Sequence, residues 1–139
     1  MKVFLDTNVL VSAFATRGLC ADVFRLVALR HELLIGEVVL EELEAVLLTK
    51  LRVPEPTVEE LLRHLREHIV VPRPGPASIE VASDPSDAWV LASAMDAGAE
   101  TLVSGDQHLL DLSPRVELEI LTPRAFWDRM RNEDSAEPA

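Results

Sequence analysis

A short, mainly apolar run stopped by a carboxylate, Lys2-Val3-Phe4-Leu5-Asp6, constrains this chain more than any other stretch. A partly β-branched and aromatic run of this kind reads as a strand buried on both faces, as in the centre of a parallel sheet. Asp6 ends it. A carboxylate at that point is costly to desolvate unless it meets a cation or several donors, and the crevice outside the strand ends is where open α/β sheets bind ligands. Asp6 is therefore a candidate site residue. It equally suits the N-cap of the helix suggested by Val9-Leu10-Val11 and Ala13-Phe14.

At 139 residues the chain fits one domain, over 1–131, long enough to bury roughly two thirds of its unfolded surface. The polar, acidic stretch 132–139 reads as a disordered tail. The single cysteine, Cys20, excludes an intrachain disulfide and a Cys-rich zinc site. A strand begins almost at Met1, and no apolar run approaches a membrane span, so a cytoplasmic protein without membrane attachment is expected. The net charge of −11 argues against broad attraction to nucleic acid. Eleven of the 13 basic residues are Arg, however, and local Arg contacts together with a bound metal ion could still hold a polyanion.

Alternating patterns extend the α/β reading along the chain. A helix over Ala21–Arg30 and a strand Leu33-Leu34-Ile35 closed by Gly36 complete a β-α-β crossover with the first strand. Glu37 to Leu51 carries Val39, Leu40, Leu43, Val46, Leu47 and Leu51 on one stripe, which predicts a helix. At about 100° per residue, Glu41 points away from that stripe, whereas Glu42 and Glu44 lie on its two edges. Either edge acid could lean toward a crevice.

Pro54-Glu55-Pro56 ends that helix, and Thr57 with Glu60 forms the capping-box pattern for another helix running to about His68. His64-Leu65-Arg66-Glu67-His68 matches the H-x-x-E-H pattern of certain zinc proteases. A catalytic zinc site needs a third ligand and a cleft, and solvent-edge histidines are the plainer reading of this charge-rich helix. Ile69-Val70-Val71 reads as a strand, and Pro72 to Pro76 as a stiff connector.

Asp84 before Pro85 is an N-cap followed by proline at the first helical position, opening a helix through Met95 that Gly98 ends. Asp87, in the first turn, suits the helix dipole and can also project toward a strand-end crevice. Thr101-Leu102-Val103-Ser104 is a second buried parallel strand, followed by Gly105-Asp106. This repeats the Leu5-Asp6 arrangement. A turn of helix over Gln107–Leu112, an edge strand over Glu117–Leu121 and a last helix after Thr122-Pro123 complete the chain. The apolar face of that helix carries Phe126, Trp127 and Met130, with Arg124, Arg129 and Arg131 elsewhere.

Asp6-Thr7-Asn8-Val9-Leu10-Val11-Ser12-Ala13, Leu40-Glu41-Glu42-Leu43, Asp84-Pro85-Ser86-Asp87 and Leu102-Val103-Ser104-Gly105-Asp106 stand at domain-wide spacing. In order and spacing they resemble the PIN-domain nucleases, and most closely small bacterial PIN toxins of toxin–antitoxin systems. The resemblance implies a three-layer α/β/α sandwich with a mainly parallel sheet. It implies that Asp6, Glu42, Asp87 and Asp106 are the catalytic and metal-ligating acids, with Asp84 an additional candidate and Asn8 and Ser104 supporting polar groups. It also implies endonucleolytic cleavage of RNA to 5′-phosphate and 3′-hydroxyl ends, a homodimer, and a protein antitoxin that blocks the site.

Four converging carboxylates call for counter-cations, and an all-oxygen ligand set suits Mg²⁺ or Mn²⁺. Two other functions compete with this reading. A haloacid-dehalogenase-type phosphatase requires a second Asp two residues after the first, where this chain has Asn8. A non-catalytic interaction module of the same fold draws support from the −11 charge.

Overall fold

The structure is a computed structural model that describes residues 1–74 and 84–136, the last three as helix backbone only. Gly75 and Pro76 of the expected connector lie outside the described residues.

The strands are β1 (Lys2–Leu5), β2 (Glu32–Gly36), β3 (Ile69–Val71), β4 (Thr101–Val103) and β5 (Glu119–Leu121). They form one sheet in the order β3-β2-β1-β4-β5, with every neighbouring pair parallel. The inner strands are the apolar runs of the sequence. Val3, Phe4, Leu5, Ile35, Leu102 and Val103 have no exposed surface, which is why these strands lack polar alternation.

Between β1 and β2 lie α1 (Thr7–Ala15) and α2 (Leu19–Arg30); α3 (Glu37–Thr49) and α4 (Glu55–Leu65) join β2 to β3. The helix α5 (Pro85–Asp96) precedes β4, α6 (Gln107–Asp111) and a 3₁₀ turn at Ser113–Arg115 precede β5, and α7 (Pro123–Ala136) follows it. Right-handed crossovers between parallel strands put the β1-to-β3 connections on one face. The chain then reverses direction across the sheet, so α5 and α6 cover the other. The result is a three-layer α/β/α sandwich, with α7 packed against α2. No helix among the described residues is long and apolar enough to cross a membrane.

The reversal occurs between β1 and β4. Leu5 pairs in register with Val103, so the next residues, Asp6 and Ser104, leave the sheet side by side. The Asp6 amide donates to the Val103 carbonyl at 3.0 Å, and this last rung of the ladder holds the two strand ends together. A crevice opens where strand order switches in such sheets.

Several element ends differ from the pattern-based reading. The fourth helix begins at Glu55, and Thr57 sits inside its first turn, with its amide bonded to the Pro54 carbonyl at 3.0 Å. Pro56 causes this, because proline is pre-set for the first turn and has no amide hydrogen to satisfy. The same helix stops at Leu65, so His64 and His68 do not share a helical face. His64 bonds the Glu60 carbonyl through Nδ1 at 2.8 Å, and His68 packs edge-on against Phe24. The strand expected from Glu117 begins at Glu119. The last helix runs through Ala136, so residues 132–136 continue it where a disordered tail was expected. That stretch contains no Pro or Gly, and extending an existing helix adds a hydrogen bond per residue.

Gly36, at the junction of β2 and α3, supplies a packing test. A Cβ there would lie 2.7 Å from Cζ and 3.2 Å from Cε2 of Phe4, whose ring is fully buried. The ring cannot swing into solvent. Gly36→Ala is expected to destabilise the protein by about 1–3 kcal/mol, the usual cost of over-packing, measured as a lower urea midpoint at unchanged slope.

Candidate active site

The cleft begins with Asp6, 5 % exposed. Its backbone is extended and its carbonyl accepts from the amides of Val9 and Leu10, so it is the N-cap of α1. Its Oδ1 accepts from the Thr7 amide at 2.8 Å; its Oδ2 accepts from Ser104 Oγ at 2.7 Å and from Asn8 Nδ2 at 3.0 Å. Capping and a site position are thus compatible for one residue. Burial pushes the Asp6 carboxyl upward, the Ser104 and Thr7 bonds oppose this, and the charges of Glu42 and Asp106 add to the upward push.

Asn8 and Ser104 tie the two strand ends into one unit. Asn8 donates to Asp6, and its Oδ1 accepts from the Gly105 amide at 2.9 Å. Ser104 Oγ donates to Asp6 and accepts from the Asp106 amide at 3.0 Å. Asp106 in turn caps α6, accepting from the His108 amide at 2.9 Å. These bonds fix the spacing of two acids 100 residues apart in the chain.

The other acids arrive on helices. Asp84 caps α5, accepting from the Ser86 amide at 2.8 Å, and Asp87, in the first turn, is 8 % exposed. Asp87 is raised from 3.8 to about 6, chiefly by burial and then by the charges of Asp106, Asp84 and Asp6. Glu42 comes from α3, which packs against both α1 and α5.

Asp6, Glu42, Asp87, Asp106 and Asp84 all line one open cleft of about 490 Å³, together with Thr7, Asn8, Ser12 and Ser86. Glu44 does not line it, and exposed Glu41 faces Arg73 instead. Ser104 lies buried directly behind the wall. Thr7, Ser12 and Ser86 were not singled out from the sequence, although Thr7 and Ser86 stand beside acids that were.

Among the described residues, no Lys or Arg lines this cleft. Among the described residues, no three His, Cys, Asp or Glu side chains are gathered closely enough to form a ligating cluster. The donor set nonetheless fits a hard divalent cation. Mg²⁺ binds through one or two carboxylates and keeps several waters, so carboxylates spread around an open cleft suit it. Asp6 accepts three bonds, leaving one of a carboxylate's roughly four lone-pair sites. Thr7 Oγ1, buried at the same place, has no hydrogen-bond partner among the described residues.

An all-parallel α/β domain with an acidic cleft at its topological switch point is the class that this fold and site define. The profile of the PIN domain family matches residues 2–108, and the chain belongs to that family of nucleases. Among solved structures, it is similar to VapBC2 from Rickettsia felis bound to a DNA fragment from their promoter. That likeness has a TM-score of 0.61 at 15% identity and covers 88% of this chain and 98% of the other. FitAcB from Neisseria gonorrhoeae gives the same four values. VapBC-1 from nontypeable Haemophilus influenzae gives a TM-score of 0.63 at 13% identity, covering 89% and 99%. At these identities the likeness concerns the fold. No curated protein sequence matches the chain significantly.

Proposed function

We propose that this chain is a metal-dependent endoribonuclease, the toxin of a cytoplasmic toxin–antitoxin pair. One observation carries the reading: among the described residues, five carboxylates from four separate segments and no basic side chain line the cleft. Carboxylates so placed repel one another and any polyanion, unless a divalent ion neutralises them. Mg²⁺ or Mn²⁺, held by Asp6, Glu42, Asp87 and Asp106 with Asp84 beside them, would supply Lewis acidity toward a phosphodiester and its attacking water.

The protein's own contribution is positioning. Ser104, Asn8 and the Thr7 amide orient Asp6, and the Ser104 and Thr7 bonds oppose the upward push of burial on its carboxyl. Asp87 keeps its proton up to pH about 6 and is ionised above that, ready to bind a cation. The homodimer rests on the resemblance in motif order, and the antitoxin on that resemblance together with the two-component names of VapBC2 and VapBC-1 among the similar structures.

Purified protein incubated with single-stranded and structured RNAs tests the proposal. Cleavage to 5′-phosphate and 3′-hydroxyl ends is expected with Mg²⁺ or Mn²⁺, and none with a chelator. Cleavage that persists in chelator would contradict it. The competing non-catalytic module draws on the net charge of −11, and it is favoured if RNA stays intact under every metal condition.

A further inference from the structure

The catalytic cleft continues into a second hollow, and the two share Glu42, Ser86 and Val90 as a common wall. The second hollow is walled by the same two helices, α3 and α5, and among the described residues it contains what the first lacks: one cation, Arg73. The Arg73 guanidinium carbon lies 5.1 Å from the centre of the Trp89 ring, and the side chain forms an ion pair with Glu41. Trp89 is two residues beyond Asp87 and Glu41 adjoins Glu42, so both of the arginine's partners are built into the walls of the acidic site.

We infer that Arg73 is a substrate-positioning residue that binds a backbone phosphate of the RNA strand next to the bond being cut. This rests on the nuclease reading above. A strand entering a cleft lined by five acids needs cationic contacts beside it, because only the scissile phosphate can share the metal ion. Among the described residues lining either hollow, Arg73 is the one able to give such a contact, and guanidinium matches phosphate oxygens bidentately.

Its present partners suit exchange. Arg73 and Glu41 are each about half exposed, and exposed ion pairs contribute little, so a phosphate can replace the carboxylate at small cost. Trp89 meanwhile keeps the guanidinium over the hollow through a cation–π contact that is independent of Glu41. The ring limits where the arginine can go.

Fluorescence anisotropy with a labelled, mixed-sequence single-stranded oligoribonucleotide tests this over a salt series, using protein that carries Asp6→Asn and therefore does not cut. Adding Arg73→Ala is expected to weaken binding about tenfold, the loss of one charge-assisted contact. It should also reduce the slope of log affinity against log salt by about 0.7, the value for one single-strand phosphate contact. Arg73→Lys should restore the slope, and Glu41→Gln, which removes the competing carboxylate, should tighten binding. In cutting protein, Arg73→Ala should raise KM and leave kcat unchanged. Unchanged affinity and slope in Arg73→Ala overturn the inference, and the nuclease reading survives if wild-type protein still cuts and Asp6→Asn does not. Wild-type protein that neither binds nor cuts RNA overturns both.

Discussion

Asp6→Asn is expected to reduce RNA cleavage by about 10³-fold or more while leaving the protein folded. A divalent cation's stabilisation of developing charge is worth several kcal/mol, and about 4 kcal/mol corresponds to a thousandfold in rate. Asn keeps the shape of Asp6 but loses the charge, so the cleft loses its most deeply buried anion. Stability is affected by two opposing terms. The variant no longer buries a charge, but one amide oxygen must replace two carboxylate oxygens facing Thr7, Ser104 and Asn8. Each term is about 1–3 kcal/mol and they differ in sign, so the melting temperature should move by only a few degrees. A large loss of cleavage with a normal melt would locate the defect in the chemistry. Wild-type rates in Asp6→Asn would show that this carboxylate has no part in it.

Asp87→Asn is expected to stabilise the metal-free protein at pH 7.5 and to inactivate it, by about 10²- to 10³-fold if one strong electrostatic contact is lost. Its folded-state pKa of about 6 lies above the unfolded value of 3.8, so the folded protein holds this proton more tightly. The sign follows from linkage. Stability is undiminished below pH 3.8, falls as the pH rises toward about 6, and stays reduced above it. Removing the charge should recover about 1–3 kcal/mol at pH 7.5, roughly 3–10 °C in Tm, and nothing near pH 3.5. Thermal melts of both proteins across that range are the measurement. Saturating Mg²⁺ should reverse the order if, as proposed, the wild-type site binds the ion and the variant binds it weakly. Melts of the two proteins that stay parallel from pH 3.5 to 7.5 would count against a buried, mutually repelled Asp87.

The legible parts of this molecule are those set by local chemistry. Val3-Phe4-Leu5 and Leu102-Val103 announce buried strands, and an acid directly after each marks the sheet end where the cleft lies. The Asp84-Pro85 cap is equally local. Helical angle does not separate Glu42 from Glu44, because the two flank the same stripe; the motif resemblance singles out Glu42, and the packing of α3 against α1 and α5 accompanies its place in the cleft wall. The start of α4 is obscured in the sequence because Thr57 offers a capping pattern that Pro56, one residue earlier, pre-empts. The H-x-x-E-H match of His64 to His68 presupposes a helix running to about His68, but the helix ends between the two histidines. Arg73 on Trp89 had no sequence signal, since it depends on how a segment after β3 meets α5. The buried hydroxyl of Thr7 was likewise invisible until its surroundings were known.

The central claim is that the cleft carboxylates jointly hold a divalent ion. Calorimetric titration of Mn²⁺ into wild-type protein and into Asp6→Asn at pH 7.5 tests it most directly. The expected result is saturable binding by wild type that is weakened at least tenfold in Asp6→Asn. Superimposable titrations of the two proteins, or no binding to wild type, would contradict it.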